Sequence, residues 1–283
     1  NPPGSGHSRD GRYSVAMLGL MAELALSGNR HFTYPASHVV SRSDALGGLQ
    51  RCYRDDAISW LGQACFYMKV GGVSILTDPF LSHRASPMSF SGPRRLVPSP
   101  IHINDIPEID VIVISHNHYD HLDVKTLARW HDKSTPVVTT LGTGGAIRKL
   151  GFSRVIELDW YQQTMIKGAQ LSCFPAYHFS GRSLWDANKA LWGSFSIQSD
   201  GRSVFFSGDT GYGSEFKRVG KYLGGIDIAL VPIGAYSPRE IMAKVHVSPE
   251  EAIAIGRDVG ARFLIPMHWG TVRLTNEPMM EPK

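Results

Sequence analysis

Val111-Ile-Val-Ile-Ser115, followed at once by His116-Asn-His118-Tyr119-Asp120-His121, decides how the rest of the chain is read. The first part is a short apolar run of β-branched residues, the texture of a strand buried on both faces. Four good metal-ligand side chains then crowd six positions in the loop at its end. His116 and His118 can turn toward one ion, and Asp120 and His121 toward a second. Imidazole and carboxylate ligands suit Zn²⁺, with other first-row metals compatible. A lone histidine would read as part of a polar, solvated loop; four ligand types at this spacing do not.

The same grammar recurs outward from that loop. Residues 171–174 form a strand-like run with His178 just beyond it; 204–206 lead into Ser207-Gly208-Asp209; 263–265 lead into Met267-His268. Each places a ligand-type residue past the carboxyl end of an apolar strand, which is how a scaffold holds a rigid site on several loops. Further strand-length runs lie at 65–70, 73–76, 136–139, 195–198 and 228–231, bounded by Gly, Pro, Asp or Ser. Helices are expected at 124–131, after Asp123 as N-cap, and at 143–150, stopped by Gly151. The strongest helix start is Ser248-Pro249-Glu250-Glu251, a capping box with Pro at N1, opening a helix to about Val259. Strands in runs with helices between them favour an α+β architecture of packed sheets covered by helices. Residues 1–55, rich in Gly, Ser, Pro and Arg, read as an irregular extension before a domain at 56–283.

Composition narrows the classes. The 283 residues are 42% hydrophobic and 19% charged, and the formal net charge is +4, mildly favouring anionic partners without implying nucleic acid. Cys52, Cys65 and Cys173 are odd in number and far apart, so they read as buried apolar residues and not as a disulfide framework. No apolar run is long enough for a membrane-spanning helix. Residues 15–26 are either a degraded leader or an amphipathic helix, with the helix preferred. Gly142-Thr-Gly144-Gly145 lacks the lysine of a phosphate-binding loop and reads as the turn before a helix.

The His-x-His-x-Asp-His loop with His178, Asp209 and His268 in order resembles the metallo-β-lactamase superfamily. That resemblance implies an αββα four-layer sandwich with metals at its rim. It puts His116, His118 and His178 on one zinc, Asp120, His121 and His268 on the other, and Asp209 between them, two Zn²⁺ per chain. Asp78 in Leu76-Thr-Asp-Pro matches the aspartate that supports such a site from behind. The superfamily's diiron branch typically has Glu where His118 stands, which disfavours redox chemistry.

Longer strings are similar to the N-acylphosphatidylethanolamine-hydrolysing phospholipase D family. They include Arg84-Ala-Ser-Pro, Gly92-Pro-Arg-Arg, His116-Asn-His-Tyr-Asp-His-Leu-Asp, Leu191-Trp-Gly-Ser, Gly208-Asp-Thr-Gly-Tyr, Pro232-Ile-Gly-Ala-Tyr and His268-Trp-Gly-Thr, spread over about residues 58–280. The resemblance implies zinc-dependent release of phosphatidic acid and an N-acylethanolamine from a membrane glycerophospholipid. Two metals can bind a phosphoryl oxygen and lower the pKa of a bound water. Asp120, Asp209, Tyr119 and His246 are the expected catalytic residues, Tyr119 as donor to a phosphoryl oxygen and His246 as proton donor to the leaving alkoxide. Arg84, Arg94 and Arg95 are expected to meet phosphate or an anionic surface, and Phe90 to contact acyl chains. Gln63 departs from the His of many relatives, and Ser89-Phe90 from the Gln-Tyr of the animal enzymes. The runner-up is another hydrolase of the fold, a lactonase or small-molecule phosphodiesterase. The interval from Asp209 to His268 lacks the inserted domain of the nuclease branch. The expected partner is a phospholipid at a membrane surface, with no nucleic acid and with a homodimer left open. The expected place is peripheral at a membrane or cytoplasmic, with export left open.

Overall fold

The computed structural model describes Gly19, residues 33–183 and residues 185–282. The leader-like stretch at 15–26 therefore lies outside the described residues, Gly19 apart.

Period-two alternation builds the layers. Strands β1 (Ala57–Trp60), β2 (Phe66–Val70), β3 (Val73–Thr77), β4 (Val111–Ile114), β5 (Val137–Thr140) and β6 (Val155–Leu158) form one sheet in that order. A second sheet runs β12 (Ala261–Met267), β11 (Ile226–Pro232), β10 (Arg202–Phe206), β9 (Ser194–Ser199), β8 (Ala169–Phe174), β7 (Gln163–Ile166). Each sheet mixes antiparallel hairpins with parallel pairs: β3 through β6 run parallel, as do β10 through β12. Phe66 and Met68 of β2, Val111 and Val113 of β4, and Val204 and Phe206 of β10 all enter one cluster between the sheets. Their alternate neighbours leave it: Tyr67, Ile112 and Ile114 face the outer side of the first sheet, and Phe205 that of the second. Burying each such side chain is worth about 1.5–3 kcal/mol.

Helices cover both outer faces. On the first sheet lie α1 (Arg42–Arg54), α2 (Val124–Ala128) and α3 (Gly144–Arg148), which contribute Leu49, Cys52, Leu127 and Ile147. On the second lie α4 (Glu215–Leu223) and α6 (Pro249–Asp258), contributing Phe216, Val219, Ala252 and Ile255; the short α5 (Arg239–Met242) precedes α6. This is the expected αββα sandwich. All three cysteines are free and buried, in keeping with their reading as apolar residues.

Residues 42–54 correct the expectation of an irregular extension through residue 55. They form α1, started by Ser41, whose hydroxyl accepts from Asp44 N at 3.1 Å. Gly47-Gly48 at its centre lowers helix propensity, and packing of Leu49 and Cys52 against the sheet overrides it. The capping box on α6 is present as expected, with Ser248 and Glu251 bonding reciprocally.

Asp123 joins the metal loop to the helix after it. Its carboxylate accepts from Lys125 N at 3.0 Å, Thr126 N at 3.3 Å, Thr126 Oγ1 at 2.6 Å and Ser82 N at 3.0 Å. Asp123→Ala leaves these buried donors unmet and is expected to lower folding stability by about 2 kcal/mol, measured by denaturant unfolding. An unchanged midpoint would show that the cap contributes nothing.

Candidate metal centre

Every ligand-type residue singled out in the sequence sits where a strand ends, at the rim where the two sheets meet. His116, His118, Asp120 and His121 follow β4; His178 follows β8; Asp209 follows β10; His268 follows β12. The approach of the sheets is close. Gly208 has φ +59°, and a Cβ there would lie 2.7 Å from Ser115 Cβ and 3.0 Å from the Gly193 carbonyl, so only glycine fits.

Two clusters of donor atoms result: His116, His118 and His178, and Asp120, His121, Asp209 and His268. In the first, His118 Nδ1 lies 2.8 Å from His116 Nε2 and 3.2 Å from His178 Nε2. The far nitrogens are already committed. His178 Nδ1 faces the Val245 carbonyl at 2.9 Å, and His116 Nδ1 faces Ser115 Oγ at 2.9 Å, whose own proton goes to Asp78 Oδ2 at 2.6 Å. Both imidazoles therefore turn lone pairs onto His118, and one proton on His118 Nδ1 can satisfy only one of them. Three convergent nitrogens that cannot all be hydrogen-bonded fit a cation.

In the second cluster Asp209 Oδ2 lies 3.0 Å from His121 Nε2 and 3.1 Å from His268 Nε2. It also lies 3.9 Å from His178 Nε2 of the first cluster, so Asp209 stands between the two. Its Oδ1 is buried with no partner among the described residues. Asp120 Oδ2 is 3.1 Å from His268 Nε2 and 3.4 Å from His121 Nε2. Behind them, buried Asp78 accepts from Ser115 N at 2.8 Å and from His121 Nδ1 at 2.6 Å, turning His121 Nε2 into the site. Gln63 Nε2 donates to Asp120 Oδ2 at 2.8 Å.

Protonation follows from these neighbours. Burial, with the crowding of other imidazoles, holds His116 well below the ordinary histidine range, His118 at about 3 and His178 at about 4. Burial also opposes charge on His121 and His268. The carboxylates of Asp209 and Asp120 outweigh it, lifting His121 well above its ordinary value and His268 to about 9. In the metal-free protein near pH 7 the first cluster is thus neutral and the second carries two imidazolium ions against ionised carboxylates. Metal binding requires free lone pairs. Filling both clusters at pH 7 is therefore expected to release about two protons per chain, falling as pH rises past about 9, where His268 is already neutral. Calorimetry of zinc binding in buffers of different ionisation heat measures this; a release near zero would contradict the charge assignment.

The remaining expected residues divide. His246 lies in the site, Nε2 4.0 Å from Asp209 Oδ2 and Nδ1 buried without a partner among the described residues. Burial holds it well below its ordinary range despite Asp209, so it rests neutral and holds no proton to give at the outset. Tyr119 is turned aside: its hydroxyl donates to the Arg182 carbonyl at 2.7 Å, and the Arg182 guanidinium lies 3.9 Å over its ring. Donation to a phosphoryl oxygen requires that bond to open. Arg95 corrects its expectation. It is buried, and its guanidinium donates to the carbonyls of Leu61, Phe80 and Val97, stapling three segments and leaving the surface. Arg84 is spent on the carbonyls of Ser89 and Gly92, while Arg94 is exposed and Phe90 is 78% exposed. Sequence reasoning missed Ser115, Asn117 and Arg182. Asn117 Oδ1 accepts from Gly181 N at 2.8 Å, and Arg182 donates to the carbonyls of Asn117 at 2.7 Å and Leu122 at 2.8 Å. No spacing signals them: Asn117 and Arg182 act through backbone groups across two loops, and Ser115 through Asp78, thirty-seven positions away, and its neighbour His116.

Seven histidine and aspartate donors at the rim of an αββα sandwich define a metallo-β-lactamase-type metal centre, and the β-lactamase superfamily domain profile matches residues 74–269. The chain belongs to the metallo-β-lactamase superfamily and, within it, to the family of N-acylphosphatidylethanolamine-hydrolysing phospholipase D-like proteins. It is 37% identical over 238 residues to a Caenorhabditis elegans protein named N-acyl-phosphatidylethanolamine-hydrolyzing phospholipase D 1, covering 80% of this chain and 67% of that one. It is 38% identical to a Saccharomyces cerevisiae protein of the same activity name, designated mitochondrial, over 80% of this chain and 50% of that one. An uncharacterized Mycobacterium tuberculosis protein is 40% identical over 81% of this chain and 64% of its own length. The chain thus spans half to two-thirds of the length of these relatives. A solved isothiocyanate hydrolase from Delia radicum gut bacteria shares the fold, with TM-score 0.64 at 15% identity, covering 80% of this chain and 89% of that one. Fold and donor set together support a metallo-hydrolase and suggest a divalent metal at the two clusters. Among the described residues no helix is long and apolar enough to cross a membrane.

Proposed function

We propose that the chain is a zinc-dependent phospholipase D-type phosphodiesterase that cleaves N-acylphosphatidylethanolamine, or a related glycerophospholipid, to phosphatidic acid and an N-acylethanolamine. The observation that carries this reading is the pair of donor clusters with Asp209 between them, in a chain similar to relatives bearing that activity name. His116, His118 and His178 would hold one zinc and Asp120, His121 and His268 the other, with Asp209 shared. When bound, such ions act as Lewis acids toward a phosphoryl oxygen and make water acidic enough to attack near neutral pH.

The chain's own residues supply the rest. Asp78 and Ser115 fix the ring orientations of His121 and His116. His246, neutral at rest, is suited to take a proton from the attacking water and return it to the leaving alkoxide. That ordering replaces a role as resident acid. Two loops flank the metal loop and carry exposed apolar tips, Met88 and Phe90 on one and Trp185 on the other, which is 83% exposed. Each is tied to the metal loop and its helix: Lys125 Nζ donates to the carbonyls of Ser86 and Met88, and Tyr119 and Arg182 secure the other. Apolar tips beside a phosphodiester-cleaving centre suit a substrate drawn from a lipid surface, with Arg94 at hand for anionic headgroups.

A lipid panel incubated with and without chelator tests the reading. Chelator-sensitive release of phosphatidic acid from N-acylphosphatidylethanolamine is the expected result. Ring opening of lactones, or cleavage of water-soluble diesters only, would overturn it.

A further inference from the structure

Gln63 lies in the turn from β1 to β2, 1% exposed, with φ +55°, a left-handed conformation uncommon outside glycine. Such backbone persists where the surroundings over-determine it, and here they do. Gln63 N donates to Thr271 Oγ1 at 3.0 Å, and its carbonyl accepts from His268 N and Trp60 Nε1, both at 2.9 Å. One residue's backbone thus joins the end of β1 to the segment that carries His268.

The side chain has a separate task. Its Nε2 donates to Asp120 Oδ2 at 2.8 Å, the oxygen that lies 3.1 Å from His268 Nε2 and 3.4 Å from His121 Nε2. An ionised carboxylate accepts only, so the amide must present its NH₂ end here. The Oε1 end is buried without a protein partner, which leaves the Asp120 contact as the side chain's sole hydrogen bond among the described residues. A buried amide would not be left half-satisfied for packing alone, since an apolar side chain would fill the space at lower cost.

We infer that Gln63 is a positioning residue for metal binding: its amide aims Asp120 Oδ2 at the ion held with His121 and His268, and leaves the three-histidine cluster untouched. This rests on the two-ion reading of the site. Groups that orient a ligand carboxylate typically change metal affinity about 10- to 100-fold when removed.

The test titrates metal-free wild type, Gln63→Leu and Gln63→His with cadmium, following cadmium NMR and competition with a chromophoric chelator. Wild type is expected to give two resonances, one for the three-histidine cluster and one for the cluster that contains Asp120. In Gln63→Leu only the second should shift, with affinity about 10- to 100-fold weaker and the thermal midpoint of the metal-free protein unchanged. Gln63→His still offers an N–H and should recover most of the affinity. Wild-type affinity at both clusters in Gln63→Leu would overturn the inference. So would equal weakening at both, the mark of a general structural role. A single cadmium in wild type would sink the two-ion reading instead, and Gln63 would then stand or fall on whether Gln63→Leu weakens that one ion.

Discussion

Asp209→Asn is expected to reduce turnover by about a thousandfold or more while leaving the fold intact. Asp209 stands between the two clusters, with Oδ2 at 3.0 Å from His121, 3.1 Å from His268 and 3.9 Å from His178. Asparagine keeps the shape, so packing at this buried position survives. It replaces one acceptor oxygen by an NH₂ that cannot ligate and removes the negative charge that offsets two cations. On the proposed two-ion reading, losing the spacing of the ions would cost several kcal/mol of transition-state stabilisation. About 4 kcal/mol corresponds to roughly a thousandfold in rate. Steady-state kinetics with zinc in excess, beside a thermal melt, reads both halves; near-normal kcat would remove Asp209 from its shared role.

The second large effect is expected at a residue behind the proposed ligands. Asp78 is fully buried, with φ +32°, and its two oxygens accept from Ser115 N, Ser115 Oγ and His121 Nδ1 at 2.6–2.8 Å. Through Ser115 it also reaches His116 Nδ1. One carboxylate therefore sets the orientation of an imidazole in each cluster. Asp78→Ala strands three buried donors, at about 1–3 kcal/mol each before relaxation. A loss of about 3 kcal/mol is expected, lowering the melting point by about 6–12 °C for a chain of this size. Zinc affinity should fall about 10- to 100-fold, and activity with it. Calorimetry of the metal-free protein separates the stability loss from the affinity loss. If affinity fell while stability held, Asp78 would serve the metal alone.

Much of this centre was legible because metal ligation leaves a local mark. His116, His118, Asp120 and His121 are packed into six positions, and the residues that complete them each follow an apolar run. The strands most easily read were those buried on both faces, such as β4, whose sequence stays apolar throughout. β1, β6 and β7 were not expected: all are half-buried or more open, and Ser59, Glu157 and Gln163 interrupt their apolar texture. Helix α1 was hidden by its central glycines, and α4 by a polar surface around two buried residues. The arginines misled for a different reason. Arg84, Arg94 and Arg95 look alike as charges, and only the fold shows Arg95 donating to three carbonyls inside the protein. Sequence pattern fixes ligand identity far better than it fixes where a long cationic side chain points.

The proposed chemistry depends on two ions held by two clusters. Metal analysis of the purified chain, reconstituted with zinc and freed of loosely bound metal, tests that most directly. Two zinc ions per chain is the expected result, with one lost selectively when His268 is replaced by Ala. One zinc or fewer in the unaltered protein would contradict a two-metal centre.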